Sequence, residues 1–477
     1  MLDAKLRSSL GNVLFSSGNS LTYSYSVRIT ADESAGTMRL MLRLALPSLA
    51  EQMLGSLVML VDMWLTGQYL KESPYLAAIS LMAYTMWGFN SLFEFVSIGA
   101  MALVARSVGA GRMDQARSVM HQALVAGAWI ALPATVVSWF ATPTFVRLMQ
   151  LEGQAAELAI TYLRFTVPAL TAIMVTRIGA ACLRGAGDTF GSMLAMGLVN
   201  VVNATLGTVL VVGIGFPSLG WRGLAMGTTG GYVAGALAML LMLSFGRAGL
   251  WLRPRLLRPQ GELLRRLLRI GVPGGVDVML IIICHLWFVS LINRFGDLAA
   301  AAHGVGVRIE SLAYMPGAAF QIAAGTLAGQ FLGAGNPRRA GRSVLAASLT
   351  GCGLMTAVGG VFMFAGEPLA RIFIDPNKAA IIQLTANLLW IVSWGMPLLA
   401  LQMILTGALR GAGDTRWPMV FSIVGFLGVR LPLTYYVISY TDWGVEGAWW
   451  AMVIDLAVRC GLVTWRFFHG GWKRGVV

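Results

Sequence analysis

The chain has 477 residues, 57% of them hydrophobic and only 12% charged, and carries a formal net charge of +14. A soluble domain has about twice that charged fraction, so a soluble globular protein is excluded. The four cysteines (Cys182, Cys284, Cys352 and Cys460) lack CxxC or metal spacing and offer neither a disulfide framework nor a zinc site.

Residues 1–40 are polar and Ser-rich and lack the apolar core of a secretory signal, so they read as an N-terminal extension. Met38, just before the first apolar run, competes with Met1 as the start of the native chain. Hydropathy then marks twelve runs, near 42–70, 76–105, 119–145, 156–183, 189–213 and 222–245, followed by 270–293, 298–331, 343–372, 379–409, 417–440 and 445–465. Each is at or above the roughly 20 residues that cross a hydrocarbon core of about 30 Å. Backbone polar groups in lipid must be satisfied within the segment, so the runs are helices. The expected fold is an all-α polytopic membrane protein with twelve transmembrane helices.

The basic residues fall mainly between alternate spans. With the N-terminus inside, roughly two dozen lie on the cytoplasmic side, among them Arg39, Arg43, Arg106, Arg184 and the cluster Arg247 to Arg269. About half a dozen lie opposite: Lys71, Arg147, Arg222, Arg294, Arg371 and Lys378. This positive-inside pattern accounts for the basicity without a nucleic-acid partner. It predicts a multi-pass protein of a bacterial cytoplasmic (inner) membrane with both termini in the cytoplasm.

The chain is also written twice. Leu183-Arg184-Gly185-Ala186-Gly187-Asp188-Thr189 recurs identically as Leu409 to Thr415, an offset of about 226 residues that also carries Pro47 onto Pro273. Gly109-Ala110-Gly111 recurs as Gly333-Ala334-Gly335, and Gly220 and Gly223 recur as Gly444 and Gly447, at nearly the same offset. Two copies of one ancestral unit follow. Six helices return the chain to its starting side, so the two pseudo-symmetric six-helix lobes share one orientation. The expected boundaries are an N-lobe over 41–246, a basic cytoplasmic linker over 247–269 and a C-lobe over 270–470. In the repeated loop, Gly supplies turn conformations and Asp or Thr can cap the next helix. The Lys-Ser/Thr ending of a P-loop is missing.

A charge at bilayer depth is a functional candidate by default. Asp62 lies midway along the first span and Glu94 deep in the second, neither with a basic neighbour in sequence. Glu51 and Asp277 each follow a paired proline by four residues, and serve either as cavity acids or to satisfy backbone freed by the proline. Glu310 and Asp455 have Arg308 and Arg459 nearby, which favours structural ion pairs, although Glu310 stays a candidate cavity acid. His285 reads as a helix-packing residue. HExxH, GxSG and paired intramembrane aspartate patterns are missing, so no enzyme is expected.

The order of Pro47 to Gly67 with Val61-Asp62, Gly109-Ala110-Gly111, both Arg-Gly-Ala-Gly-Asp-Thr copies and Arg308-Ile309-Glu310-Ser311-Leu312-Ala313-Tyr314-Met315-Pro316-Gly317 resembles the multidrug and toxic compound extrusion (MATE) family over about residues 40–470. The resemblance implies a secondary antiporter that exports cationic or amphipathic compounds in exchange for protons or sodium ions. No cofactor is expected, and the implied partners are small organic cations and membrane lipids, with the transporter itself a monomer. The resemblance assigns a cation-coupling site to Asp62, Asn203 and Thr228, with Asp62 the place for sodium if sodium is the coupling ion. A second acid of that site falls on Gly207 here, and an acidic pair of the C-lobe falls on Ile281 and Leu399. The alternative is a lipid-linked precursor flippase of related architecture, which would favour basic cavity residues such as Arg430.

Overall fold

The computed structural model describes residues 36–215 and 217–473. Residues 1–35, most of the expected extension, lie outside the described residues, as does Met1. Among the described residues the chain forms twelve helical rods. The first is α1 (Thr37–Tyr69), with Pro47 inside it. The second, expected as one span, is α2 (Ser73–Leu92) and α3 (Glu94–Gly109), bent by 42° at Phe93. Next come α4 (Met113–Leu148), and α5 (Gly153–Thr166) joined to α6 (Leu170–Gly185) through a 3-10 turn holding Pro168. Proline removes a helical hydrogen bond and crowds the preceding turn, which explains that break. The first half closes with α7 (Thr189–Val212) and α8 (Gly220–Ser244).

The second half repeats the order with α9 (Gly261–Ile292), α10 (Asp297–Gly333), α11 (Pro337–Phe373) and α12 (Ala379–Gly411). It ends with α13 (Arg416–Gly425), a π-helical segment Phe426–Arg430, α14 (Leu431–Tyr440) and α15 (Gly444–His469). Among the described residues nine helices are long and apolar enough to cross a membrane, and the bent pair makes a tenth. The two remaining rods, α10 and α15, carry internal charges (Arg308 and Glu310; Asp455 and Arg459) that lower their hydropathy. The outer faces are apolar: Phe140 is 77% and Phe364 86% exposed. That inversion of the usual surface is stable only when lipid replaces water.

By packing, residues 50–271 form one unit, and residues 36–49 with 272–473 form the other. The linker region therefore packs with the first unit. Within each unit the repeated motif does the same work. Arg184 pairs with Glu51 at 2.6 Å, and Arg410 pairs with Asp277. Asp188 pairs with Arg247 and Asp414 with Arg466, which ties each loop to the end of its repeat. Gly187 and Gly413 have φ of +90° and +84°, a conformation that favours glycine. Gly185 and Gly411 sit where helices cross: a Cβ on Gly185 would lie 2.7 Å from the Met101 carbonyl oxygen, and one on Gly411 would overlap that of Gly325. Small residues at such crossings let helix backbones touch. Asp188 caps α7 as expected, accepting from the Gly191 N–H at 2.9 Å, whereas Asp414 is spent on Arg466 and Thr415 makes no side-chain cap.

Candidate functional site

Asp62, Asn203 and Thr228 come together inside the first unit, from α1, α7 and α8. Tyr162 of α5 joins them, and exposures of 4%, 0%, 2% and 1% in the order Asp62, Asn203, Thr228, Tyr162 close the cluster to water. Thr228 donates to Asp62 Oδ2 at 2.7 Å, Tyr162 donates to the same oxygen at 3.0 Å, and Asn203 Nδ2 donates to Oδ1 at 3.0 Å. Asn203 Nδ2 also reaches Thr228 Oγ1 at 3.2 Å, while Asn203 Oδ1 has no protein partner. None of the ion pairs among the described residues includes Asp62. The carboxylate is held by three neutral donors and by no internal cation.

The chain folds this way because α7 and α8 touch backbone to backbone. Gly223, Gly227, Gly231 and Gly235 recur every fourth residue along one face of α8, and a Cβ on Gly227 would lie 2.6 Å from Gly207 Cα. A Cβ on Gly231 would lie 3.1 Å from the Cβ of Asn203, so this glycine line brings Asn203 and Thr228 within bonding range. Gly207, where the family resemblance implies a second acid, is part of that contact. Tyr162 is steadied by Trp221, whose ring centroid lies 5.4 Å away and whose Nε1 donates to the Leu158 carbonyl.

Sequence reasoning missed Tyr162. The available signal was a tyrosine in an apolar run, which is more often an interfacial anchor, and its hydroxyl finds Asp62 only through the tertiary fold.

The other candidate acids make none of the hydrogen bonds of this cluster. Glu51 is buried against Arg184 and also accepts from Ser192 at 2.7 Å. Asp277 is held by Arg410. Satisfying proline-freed backbone is therefore not the visible role of either; each neutralises the arginine of its own repeat. Glu94 starts α3 just after the bend and is half-buried. Glu310, on α10 in the second unit, is half-buried and is not paired with Arg308, which is exposed. Residues two apart on a helix point to different sides, which rules out that expected pair.

Asp455 does pair with Arg459, at 2.9 Å, and also with Arg430 at 2.8 Å. The two guanidiniums pack over the Phe426 ring. Asp455, Arg430 and Arg459 thus form a buried triad in the second unit, where sequence reasoning paired only two of them.

Chemically, the Asp62 cluster sets two hydroxyl oxygens, of Thr228 and Tyr162, and the Asn203 amide around one carboxylate. Such a set suits a proton or a hard monovalent cation, since oxygen donors favour hard ions. Removing a charge from water without a counter-ion is costly, so a buried carboxylate held by neutral donors alone favours being neutralised.

The MatE family pattern matches residues 47–209 and 273–436, one match in each half. The probable multidrug resistance protein NorM of Thermotoga maritima is 28% identical over 439 residues, covering 92% of this chain and 93% of that protein. The probable multidrug resistance protein YoeA of Bacillus subtilis is 26% identical, with coverage of 90% and 92%. A structure described as the outward-facing conformation of a multidrug resistance MATE family transporter of the MOP superfamily superposes with a TM-score of 0.87 at 22% identity, covering 94% of this chain and 99% of that one. With twelve helical rods among its described residues, its duplicated halves and a family match in each, the chain belongs to the MatE family of multidrug and toxic compound extrusion transporters.

Proposed function

We propose that the protein is a secondary antiporter that exports cationic or amphipathic organic compounds in exchange for protons or sodium ions, with Asp62 as the coupling residue. The observation that carries this reading is the buried Asp62 carboxylate, which has three neutral donors and no cationic partner. Loading by a cation neutralises it, and unloading restores a site that needs a cation. A transporter whose open states differ in affinity for that cation converts the ion gradient into export.

Asn203, Thr228 and Tyr162 orient the carboxylate and supply the remaining oxygens. The arginine distribution supports cytoplasmic termini and an inner-membrane location. A flippase reading loses its main support, because Arg430 is already occupied by Asp455.

The test uses proteoliposomes loaded with a fluorescent organic cation under separate proton and sodium gradients. Wild type exports under at least one gradient, and the responding gradient identifies the ion. Asp62→Asn, inserted at normal levels, abolishes gradient-driven export. Export that survives in that variant removes Asp62 from the mechanism.

A further inference from the structure

The segment joining the two repeats is pinned to α4. Gln122, fully buried, donates from Nε2 to the Leu256 and Arg258 carbonyls at 3.2 and 3.0 Å, and its Oε1 accepts from Gln260 N at 2.9 Å. His121 Nε2 accepts from Arg253 N at 2.8 Å. Immediately beyond, α9 starts and lays Leu267 and Gly271 against Gly99 and Phe95 of α3. Its adjacent face presents Arg265 and Arg269, one turn apart and both exposed. Neither belongs to an ion pair among the described residues, and the nearby Glu262 is taken by Arg266 at 2.5 Å. Trp129, Pro259, Leu264 and Leu268 complete an open groove of about 840 Å³ with these two arginines. Beyond Trp129, outside the groove itself, Leu132, Val136 and Phe140 are all exposed along the same face of α4.

We propose that this groove binds an anionic phospholipid, its phosphate held by Arg265 and Arg269 and an acyl chain lying along Trp129, Leu132, Val136 and Phe140. Like charges one helical turn apart repel each other, and a phosphate between them reverses that cost. Guanidinium groups match phosphate oxygens two at a time. Tryptophan sits at the headgroup level of bilayers, and basic pockets beside transmembrane helices hold anionic headgroups. The apolar half of the groove selects a lipid over free phosphate, because an inorganic ion would leave Leu264, Leu268 and the α4 stripe unused. This site is separate from the Asp62 cluster and does not depend on what the transporter carries.

The test is native mass spectrometry of the purified full-length protein titrated with phosphatidylglycerol against a phosphatidylcholine background. Arg265→Gln with Arg269→Gln is compared with Arg255→Gln with Arg258→Gln, a charge-matched change in the same segment outside the groove. Two basic contacts correspond to roughly a ten-fold or larger change in affinity. The first double variant loses that factor, the second stays near wild type, and excess inorganic phosphate fails to displace the lipid. All four arginines are exposed, so melting temperatures stay together and folding does not confound the comparison. Equal losses in both variants mean a diffuse basic surface and overturn the proposal. Displacement by phosphate alone overturns the lipid assignment.

Discussion

Thr228 donates its hydroxyl to Asp62 Oδ2 at 2.7 Å although 166 positions separate the two residues. Tyr162 donates to the same oxygen and lies 3.0 Å from Thr228 Oγ1, so three side chains from three helices share one small polar island. Each member has a different share in binding the cation and in holding the helices together, and substitutions separate the two.

Tyr162→Phe removes one donor to Asp62 while keeping the ring against Trp221. The lost hydrogen bond costs about 1 kcal/mol, so a drop of a few degrees in melting temperature is expected. Export persists at a reduced rate with a changed half-saturation for the driving ion. An unchanged ion dependence in liposome assays would remove Tyr162 from the coupling site and leave it a packing residue.

The paired salt bridges carry a second expectation. Removing one partner of a buried ion pair leaves an uncompensated charge, at about 3–5 kcal/mol. Arg184→Ala and Arg410→Ala both lower thermal stability by amounts of that order, because Glu51 and Asp277 are stranded. The double variant Glu51→Gln with Arg184→Gln recovers part of the loss. Thermal unfolding in detergent across this cycle measures the coupling, and strict additivity would contradict the pairing.

A third expectation concerns helix crossings. Gly411→Ala forces a methyl group into the Gly325 carbonyl, and Gly185→Ala presses one against Met101. Overpacking of this kind costs about 1–3 kcal/mol. Gly67→Ala, on the same scale of chemical change, meets nothing within 4 Å and is tolerated. Yield of monodisperse protein and melting temperature rank the three variants.

In the second unit, Asp455→Asn leaves Arg430 and Arg459 buried and facing one another without their shared carboxylate. The variant unfolds well below wild type, again by about 3–5 kcal/mol. Adding Arg430→Met removes one excess charge and restores much of the loss. If the second change gives no recovery, the triad is not the reason for the first defect.

Much of this protein was decided by sequence alone. Twelve apolar runs, a repeat that carries Pro47 onto Pro273 and a lone acid at Asp62 are local or periodic signals, readable because a bilayer imposes a single length and a single polarity on every span. The duplication likewise needs only comparison of the chain with itself. Tertiary structure decided which polar groups meet. Glu51 and Arg184 are 133 positions apart, and Tyr162 lies 100 from Asp62. No local pattern encodes such pairings, because in lipid a polar side chain is satisfied by whichever partner the helix packing brings within about 3 Å. The neighbouring residues Arg308 and Glu310 mark the same boundary: close in sequence, they are separated by helical geometry, whereas distant glycines on α7 and α8 bring Asn203 and Thr228 together.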